Sequence, residues 1–288
     1  MSTNVGISSA VIAAAGSASR MWPASKVFPK ELFPLGRFPS IAYVVAELVE
    51  AGIHDIVIIV RDDNAAAVQT LLDPRVAPPE SIRDVPAVRR FHEVLEACRF
   101  TFIRQSGPYG NGTPLLNGFE AARADACIFA FADDLILGEN VSRGLLSTYA
   151  RTKAPVLSAQ TVPESQMSKF GIIDTVQRDG ATYVAKFVEK PKPADTASRL
   201  ASVGRYLVTR ELVDVLSSTK LGRGGELWLS DAFVQLMARG RDIAVYPITS
   251  GQWFTVGTPE GYRDSLLAAM QLEQLVWGEA VPALNAAR

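Results

Sequence analysis

A stretch of small and cationic residues follows the first apolar run of the chain, and these residue types can bind phosphate. Residues 13–26 read Ala-Ala-Ala-Gly-Ser-Ala-Ser-Arg-Met-Trp-Pro-Ala-Ser-Lys. Small side chains let backbone N–H groups approach a phosphate closely, while Arg20, Lys26 and Lys30 supply countercharge. The stretch matches neither G-x-x-x-x-G-K-S/T nor G-x-G-x-x-G, which excludes a P-loop and a dinucleotide fingerprint. A tight turn or a solvated basic loop would use the same residues, so this pattern alone leaves both open.

Histidine and cysteine are too few for several other chemistries. The chain has His54, His92, Cys98 and Cys127. They are too few for a disulfide framework or a Cys/His zinc cluster. Neither histidine lies in a setting typical of a Ser–His–Asp or Cys–His mechanism. We therefore expect catalysis to use Lys, Arg, Asp, Glu and backbone amides.

The composition excludes two classes of partner. The 288 residues are 48% hydrophobic and 20% charged, enough to bury a large core. Basic and acidic residues, 29 against 30, nearly cancel, so no global field attracts nucleic acid or an anionic membrane. No run approaches the ~20 apolar residues of a membrane helix. The apolar run 10–15 precedes the first cation, Arg20, and lacks the basic region of a signal peptide, so we expect a cytoplasmic protein.

Strands and helices alternate through the first half of the chain. Continuous apolar runs predict buried strands over residues 10–15, 56–60, 99–104 and 127–132. A helical pattern covers 41–51 and ends at Gly52, while four prolines within 73–86 predict an irregular excursion. This order predicts a parallel sheet, and open α/β sheets bind ligands at the carboxyl ends of their strands.

After about residue 155 the pattern becomes richer in strands. Residues 170–175 and 182–188 flank the turn 178–180, which predicts a hairpin. Further strands are predicted at 202–208 and 243–247, and helices at 229–239 and 260–277. The simplest architecture is a mixed, mostly parallel α/β domain with a smaller inserted lobe.

Several motifs, in the same order along the chain, resemble those of the sugar-1-phosphate nucleotidyltransferases. Residues 14–34 resemble the family loop A-G-x-G-T-R-x-x-P-x-T-K-x-x-P-K-E-x-x-P. Arg104-Gln105 with Gly110-Asn111-Gly112 resembles R-Q…G-x-G, and Ala132-Asp133-Asp134 resembles P-D-D. Residues 170–172, 188–191, 203–206 and 225–232 resemble Y-G-V, V-E-K-P, V-G-R-Y and G-E-I-Q-L-T-D-A. The nearest branch is the bacterial UTP–glucose-1-phosphate uridylyltransferases.

The resemblance implies a Rossmann-like three-layer fold and a phosphoryl-transfer reaction. The phosphate of a sugar 1-phosphate attacks the α-phosphate of UTP, and pyrophosphate leaves. Such transfers need positioning and charge neutralisation rather than a protein nucleophile. The implied catalytic residues are Arg20 and Lys30, which neutralise phosphate charge, and Asp133, which holds Mg²⁺.

The resemblance also assigns binding residues and boundaries. Nucleotide binding falls to Ala14, Ala15, Gly16, Ser17, Ser19, Lys26, Glu31, Gln105 and Gly110. Sugar binding falls to Gly171, Glu189 and Lys190. The expected nucleotidyltransferase domain is 1–262, with a nucleotide-binding part of about 1–155 and a sugar-binding part of about 156–262. Residues 263–288 are the expected C-terminal helical extension, and a homodimer or homotetramer is implied. Asp231 is open between a site residue and part of a helix N-terminus.

The chain departs from the family pattern at three places. Ala18 replaces a loop glycine, which would be costly if its φ is positive, and Ser19 replaces threonine conservatively. Thr113 stands where close relatives carry histidine. Thr255 stands where the wider family carries a second metal-binding aspartate.

These departures keep alternatives open. The favoured function is transfer of a uridylyl group from UTP to glucose 1-phosphate with Mg²⁺. A variant that uses dTTP or another sugar 1-phosphate shares the same motifs. Thr255 also admits a catalytically impaired UDP-sugar-binding homologue. A NAD-dependent dehydrogenase is disfavoured because the glycine fingerprint is absent.

Overall fold

The structure is a computed structural model and describes residues 6–278. The strands are β1 Ser9–Ala13, β2 Pro34–Leu35, β3 Phe38–Pro39, β4 Asp55–Val60, β5 Arg99–Arg104, β6 Ala126–Phe131, β7 Asp134–Leu137, β8 Val156–Thr161, β9 Gly171–Arg178, β10 Ala181–Glu189, β11 Leu200–Thr209, β12 Ala244–Pro247 and β13 Gln252–Thr255. The helices are α1 Ser40–Glu50, α2 Ala65–Leu72, α3 Pro86–Glu96, α4 Thr113–Phe119, α5 Val141–Thr152, α6 Arg210–Ser217, α7 Leu229–Ala238 and α8 Pro259–Trp277.

Within the described residues, nine strands form one sheet in the order β5-β4-β1-β6-β11-β8-β12-β10-β9. Strands β5, β4, β1 and β6 are mutually parallel. β10 and β11 run opposite to the other strands of this sheet. The predicted mixed, mostly parallel sheet is therefore confirmed. Strands β7 and β13 form a separate antiparallel ribbon.

The alternation of side chains along buried strands builds two cores, one on each face of the sheet. In β1, Ala10 and Ile12 pack into one core and Val11 packs into the other. The first core is covered by α1, α2, α3, α5 and α8, and the second by α4, α6 and α7. The two helical layers and the sheet give the expected three-layer arrangement.

Most predicted elements occur within a residue or two of their expected bounds. The first strand is shorter at its carboxyl end than predicted, because β1 ends at Ala13 and Ala14 and Ala15 belong to the loop that follows. The predicted hairpin forms between β9 and β10, where Asp179 and Gly180 have φ of 52° and 70°. Such positive φ values suit a two-residue hairpin turn. Helices α2 to α6 had no individual prediction.

The C-terminal helix packs on the domain to which it belongs. Trp277 is 1% exposed, and its ring centroid lies 4.4 Å from that of Phe38 and 5.5 Å from that of Tyr43. The expected extension 263–288 is thus helical as far as Trp277, while residues 279–288 lie outside the described part. None of the helices within residues 6–278 is long and apolar enough to cross a membrane.

Candidate active site

A cleft of about 920 Å³ opens beside the carboxyl ends of β1, β5 and β6. Ala13 ends β1, Gln105 follows β5, and Asp133 follows β6, and all three residues line the cleft. The opposite wall comes from β10, β11 and the start of α7. The cleft therefore lies at the sheet edge where open α/β proteins bind ligands.

The cleft brings together most of the predicted site residues. Those that line it are Ala15, Gly16, Arg20, Lys30, Gln105, Gly110, Asp133, Gly171, Glu189 and Lys190. The predicted residues outside the lining are Ala14, Ser17, Ser19, Lys26 and Glu31. The exposed Lys26 turns outward, and its Nζ lies 6.0 Å from the centroid of the Trp22 ring. The loop thus directs two of its three cations, Arg20 and Lys30, into the cleft.

Lys30 and Asp133 form an ion pair on the floor of the cleft. Lys30 Nζ lies 2.5 Å from Asp133 Oδ2, and the side chains are 16% and 13% exposed. Burial lowers the pKa of Lys30, but the charge and hydrogen bond of Asp133, with the nearby Glu31 and Asp134, outweigh burial and hold that pKa above its ordinary value. Lys30 therefore remains cationic. Gly16 leaves room for it, since a Cβ at Gly16 would lie 2.8 Å from Lys30 Nζ.

The backbone that carries Asp133, residues 131–134, is named here the Asp133 turn. The Asp133 carbonyl accepts a 2.9 Å bond from the N–H of Val256. Asp134 lines the cleft but is only 8% exposed. Burial, reinforced by the neighbouring Asp133 charge, raises the pKa of Asp134 to about 7.

Thr255 lies beside Asp133, at the position where the sequence lacks the second aspartate. Strand β13 pairs with β7 so that Thr255 faces Asp134. A Cβ placed on Gly257 would lie 3.2 Å from Asp133 Oδ2 and 3.3 Å from Thr255 Oγ1. Thr255 Oγ1 accepts a 3.2 Å bond from the N–H of Gly257. A neutral hydroxyl thus occupies the space next to the Asp133 carboxylate.

This donor set suits a metal that is bound partly by substrate. Within residues 6–278, no group of three His, Cys, Asp or Glu side chains comes together to hold a metal. Mg²⁺ commonly binds one or two carboxylates, substrate phosphates and several waters rather than a cage of protein ligands. Asp133 with the adjacent Thr255 hydroxyl fits that pattern and does not fit a protein-only site.

Glu31 lies beneath the loop rather than in the cleft. The residue is 0% exposed, and its Oε1 accepts a hydrogen bond from Asn64 Nδ2, which also donates to the Ala14 carbonyl at 2.7 Å. Among residues 6–278, no group forms a hydrogen bond with Glu31 Oε2. Burial is the main cause that raises the pKa of Glu31 to about 7.

Asn64 and Arg61 are site residues that the sequence analysis missed. Arg61 donates to the Gly16 carbonyl, as Asn64 does to that of Ala14. Across a trans peptide the carbonyl and the next N–H point in opposite directions. These bonds therefore turn the N–H groups of Ala15 and Ser17 away from Arg61 and Asn64. Both residues closely follow β4, so polar residues just after a buried strand are the signal that could have found them.

The loop between β5 and α4, residues 105–112, is anchored to the opposite wall. Gly110 has φ 142°, and a Cβ there would overlap the backbone of Leu227. The N–H of Leu227 donates to the Tyr109 carbonyl at 2.8 Å, and its carbonyl accepts from the N–H of Gly112 at 3.0 Å. Thr113, in place of histidine, is 1% exposed and donates to the Pro108 carbonyl at 2.6 Å. Thr113 therefore closes the loop from within.

The residues predicted to bind sugar lie together where β9 begins and β10 ends. A Cβ at Gly171 would lie 3.0 Å from Glu189 Oε2. Glu189 is exposed as a residue, yet protein atoms around its carboxylate shield it from water and raise its pKa. Lys190 has φ 48°, and its Nζ lies 4.1 Å from the centroid of the Trp228 ring in the same cleft. Asp231 lies outside the cleft lining, in the first turn of α7, as expected for a helix N-terminus.

Ala18 adopts the conformation that makes its methyl group costly. Its φ and ψ are 53° and 31°, in the left-handed region. For a residue with a Cβ, this conformation costs about 1–2 kcal/mol of conformational energy. The loop is therefore strained where the family pattern has glycine.

Comparison with known proteins identifies close relatives of the whole chain. The family model described as nucleotidyl transferase matches residues 9–272. The UTP–glucose-1-phosphate uridylyltransferase of Bacillus subtilis is 32% identical over 272 residues, which cover 92% of this chain and 92% of the relative. The protein of the same name from Pseudomonas aeruginosa is 30% identical over 262 residues, which cover 88% and 92%.

Solved structures agree with these sequence relatives. A UDP-glucose pyrophosphorylase complexed with UDP-glucose has a TM-score of 0.82 and 27% identity, and the match covers 92% of this chain and 99% of that chain. A UTP-bound UGPase from Acinetobacter baumannii has a TM-score of 0.78 and 26% identity, with 94% and 98% covered.

Proposed function

The chain belongs to the nucleotidyl transferase family, and on that premise we propose that it transfers a uridylyl group from UTP to glucose 1-phosphate. The products are UDP-glucose and pyrophosphate. One observation carries the proposal: Lys30, Asp133 and Arg20 meet in one cleft whose far wall presents Glu189 and Lys190. The relatives named as uridylyltransferases match 88% and 92% of the chain.

The reaction begins with a phosphate oxygen of the sugar 1-phosphate. This oxygen forms a bond to the α-phosphorus of UTP, and the bond from that phosphorus to the bridging oxygen of the β-phosphate breaks. The electron pair of the broken bond leaves with pyrophosphate. Arg20 and Lys30 neutralise the charge on the triphosphate and the departing group, which is the main requirement of such a transfer.

The metal assigned to this site is Mg²⁺. Asp133, with Thr255 beside it, would hold the ion together with the substrate phosphates. When bound, Mg²⁺ supplies a positive charge that stabilises the phosphate oxygens in the transition state.

Base and sugar are assigned to opposite walls. Gln105 offers an amide donor and acceptor that suit the edge of a uracil. The N–H groups of Ala15 and Ser17, which point away from Asn64 and Arg61, approach the nucleotide from the first loop. Glu189 accepts from sugar hydroxyls, and Lys190 binds the sugar phosphate. This division retains a nucleotide-binding part of about 1–155 and a sugar-binding part of about 156–262.

The decisive experiment measures pyrophosphate release with purified protein and Mg²⁺. UTP, dTTP and the other nucleoside triphosphates are paired with glucose 1-phosphate and other sugar 1-phosphates. We expect the highest kcat/KM with UTP and glucose 1-phosphate. Higher kcat/KM with dTTP or another sugar would reassign the substrate. Binding of UDP-glucose by calorimetry without turnover of any pair would favour the impaired homologue that Thr255 suggests.

Two coarser properties complete the proposal. We infer a homodimer or homotetramer that acts in the cytoplasm, where nucleoside triphosphates and sugar phosphates are found. Light scattering coupled to size exclusion measures the assembly, and a monomeric mass at micromolar concentration would contradict it.

A further inference from the structure

Arg205 lies behind the cleft and contacts both ends of the Asp133 turn. Its Nη1 donates to the Phe131 carbonyl at 3.3 Å, and its Nη2 donates to the Asp134 carbonyl at 3.0 Å. Its neighbours Gly204 and Tyr206 line the cleft, whereas Arg205 is 0% exposed and stands outside the lining. The guanidinium therefore reaches the site from the rear of the sheet without touching a substrate.

The charge of Arg205 is balanced from α1. Glu47 Oε2 lies 3.0 Å from Arg205 Nη2 and 3.1 Å from its Nε. The other Glu47 oxygen accepts from the N–H of Ser142 at 3.0 Å and from its hydroxyl at 2.6 Å. Arg205 Nη1 also donates to the Gly204 carbonyl at 3.0 Å. Both charged groups thus have a full set of partners.

The remaining carbonyls of the turn are held as well. Ser40, at the start of α1, donates from Oγ to the Ala132 carbonyl at 3.1 Å. Val256 donates to the Asp133 carbonyl at 2.9 Å. All four carbonyls from 131 to 134 accept hydrogen bonds, so the backbone fixes the direction in which the Asp133 side chain leaves it.

A buried ion pair is a poor source of stability, because desolvation of two charges offsets their attraction. An apolar pair of similar volume would stabilise the fold at least as well. A guanidinium, unlike an apolar side chain, bonds two carbonyls three residues apart in a fixed geometry. Its position on the Asp133 turn accounts for its presence better than stability does.

We propose that Arg205, balanced by Glu47, is a positioning residue that orients Asp133 toward Lys30 and the metal. The inference rests on the proposed function, because Asp133 is the metal ligand of that function. Residues that orient metal ligands typically contribute 10–100-fold to metal affinity. Displacement of the Asp133 turn should therefore weaken metal binding and slow the transfer while UTP still binds.

The test uses the full chain with Glu47→Gln/Arg205→Met, which removes both charges and keeps an acceptor for Ser142. Metal binding is read from the paramagnetic resonance of free Mn²⁺ titrated with protein and UTP. We expect a Tm near that of the wild type, UTP-dependent Mn²⁺ affinity lower by about 10–100-fold, kcat lower by a similar factor, and a KM for UTP within about threefold. Unchanged Mn²⁺ affinity and kcat would overturn the proposal.

Two further variants separate positioning from stability. Ser142→Ala weakens the same network on the side away from Asp133, so it should lower Tm but leave Mn²⁺ affinity and kcat unchanged. Equal losses of metal affinity in Ser142→Ala would show a merely structural role and overturn the proposal. Arg205→Lys keeps the countercharge for Glu47 but cannot bridge both carbonyls, and wild-type Mn²⁺ affinity in this variant would also overturn it.

The metal readout keeps this inference separate from the proposed reaction. If the wild-type protein binds Mn²⁺ with UTP but transfers no uridylyl group, the proposed reaction is wrong. The Mn²⁺ affinities of the variants would still test the role of Arg205. Wild-type protein without UTP-dependent Mn²⁺ binding would overturn the metal assignment and this inference together.

Discussion

The Asp133 turn and the segment 255–257, named here the Thr255 segment, adjoin each other on the cleft floor but are built differently. Asp133 is paired with Lys30 at 2.5 Å, and all four carbonyls of its turn are bound. The Thr255 segment presents a neutral hydroxyl that accepts a local hydrogen bond from the N–H of Gly257. Negative charge for a cation therefore comes from one side, and Mg²⁺ at such a site would take its other ligands from substrate phosphate and water.

Removal of the Asp133 charge should have the largest effect on this contrast. Asp133→Asn keeps the shape of the side chain but leaves Lys30 without its carboxylate and the proposed metal site without its charged ligand. We expect kcat to fall by about 10²-fold or more with an unchanged circular dichroism spectrum. Asp84→Asn, at an exposed aspartate outside the cleft lining, is the matched control for the same exchange elsewhere. Full activity of Asp133→Asn would reject the charged-side assignment.

The buried carboxyl of Glu31, beneath the loop that carries Lys30, predicts that the free energy of unfolding depends on pH. Burial raises the pKa of Glu31 to about 7, above its ordinary value of 4.5. The folded protein then holds a proton that the unfolded chain has released, so this contribution is full below about pH 4.5 and is lost as pH rises through 7. We expect Glu31→Gln to flatten the fall in unfolding free energy between pH 5 and 7.5 by about 2–3 kcal/mol. Parallel denaturation curves for the two proteins at every pH would contradict the assignment.

Gly257 tests how closely the two sides approach each other. A Cβ at this position would meet Asp133 Oδ2 and Thr255 Oγ1 at 3.2 and 3.3 Å. Gly257→Ala should push the carboxylate from its place and lower kcat by about tenfold, as measured by pyrophosphate release. Gly240→Ala is a remote comparison whose cost should appear in Tm only, because that glycine has φ 74° and lies outside the cleft. Equal kcat in Gly257→Ala and the wild type would show that the side chains of Asp133 and Thr255 can move to admit the added methyl group.

A carboxylate in the Thr255 segment should strengthen metal binding, in contrast to the losses expected above. Thr255→Asp places a second anion beside Asp133, and we expect the Mg²⁺ concentration for half-maximal activity to fall by about 3–10-fold. Thr255→Asn adds similar volume without charge and should give no such gain. If both variants behave like the wild type, Thr255 lies outside the metal shell.

The smallest expected effect comes from Ala18, in the loop that carries Arg20 and Lys30. Its positive φ predicts that Ala18→Gly stabilises the protein by up to about 1 kcal/mol, since the relief of strain exceeds the added chain entropy. Ala24→Gly, in a short helix of the same loop, should destabilise instead. Chemical denaturation measures both changes. A loss of stability in Ala18→Gly would show that the strain is relieved elsewhere.

The fold was largely predictable because its signals are local. Apolar runs located β1, β4, β5 and β6, and the turn at Asp179 and Gly180 located the β9–β10 hairpin. The insertion of the antiparallel β11 between β6 and β8 was not predictable, because it depends on which strand edges remain free once the parallel half has formed.

The site was predictable in its residue types and only partly in its geometry. Gly16 and Gly110 were identified by motif, and the structure gives the reason, because a Cβ at either would meet a neighbouring residue. Lys26 and Glu31 belong to the same motif, yet one points to solvent and the other is buried under the loop. A motif fixes spacing along the chain, whereas the direction of a side chain depends on what packs against it.

The sequence by itself determined the alternation of strands and helices, the cationic loop and the loss of the second aspartate, because each is set by residue type within a few neighbours. The tertiary structure decided that Lys30 meets Asp133, 103 residues away, that Asn64 and Arg61 hold the first loop, and that Arg205 supports the Asp133 turn from behind. Such contacts form between strand ends that only the order of strands in the sheet brings together.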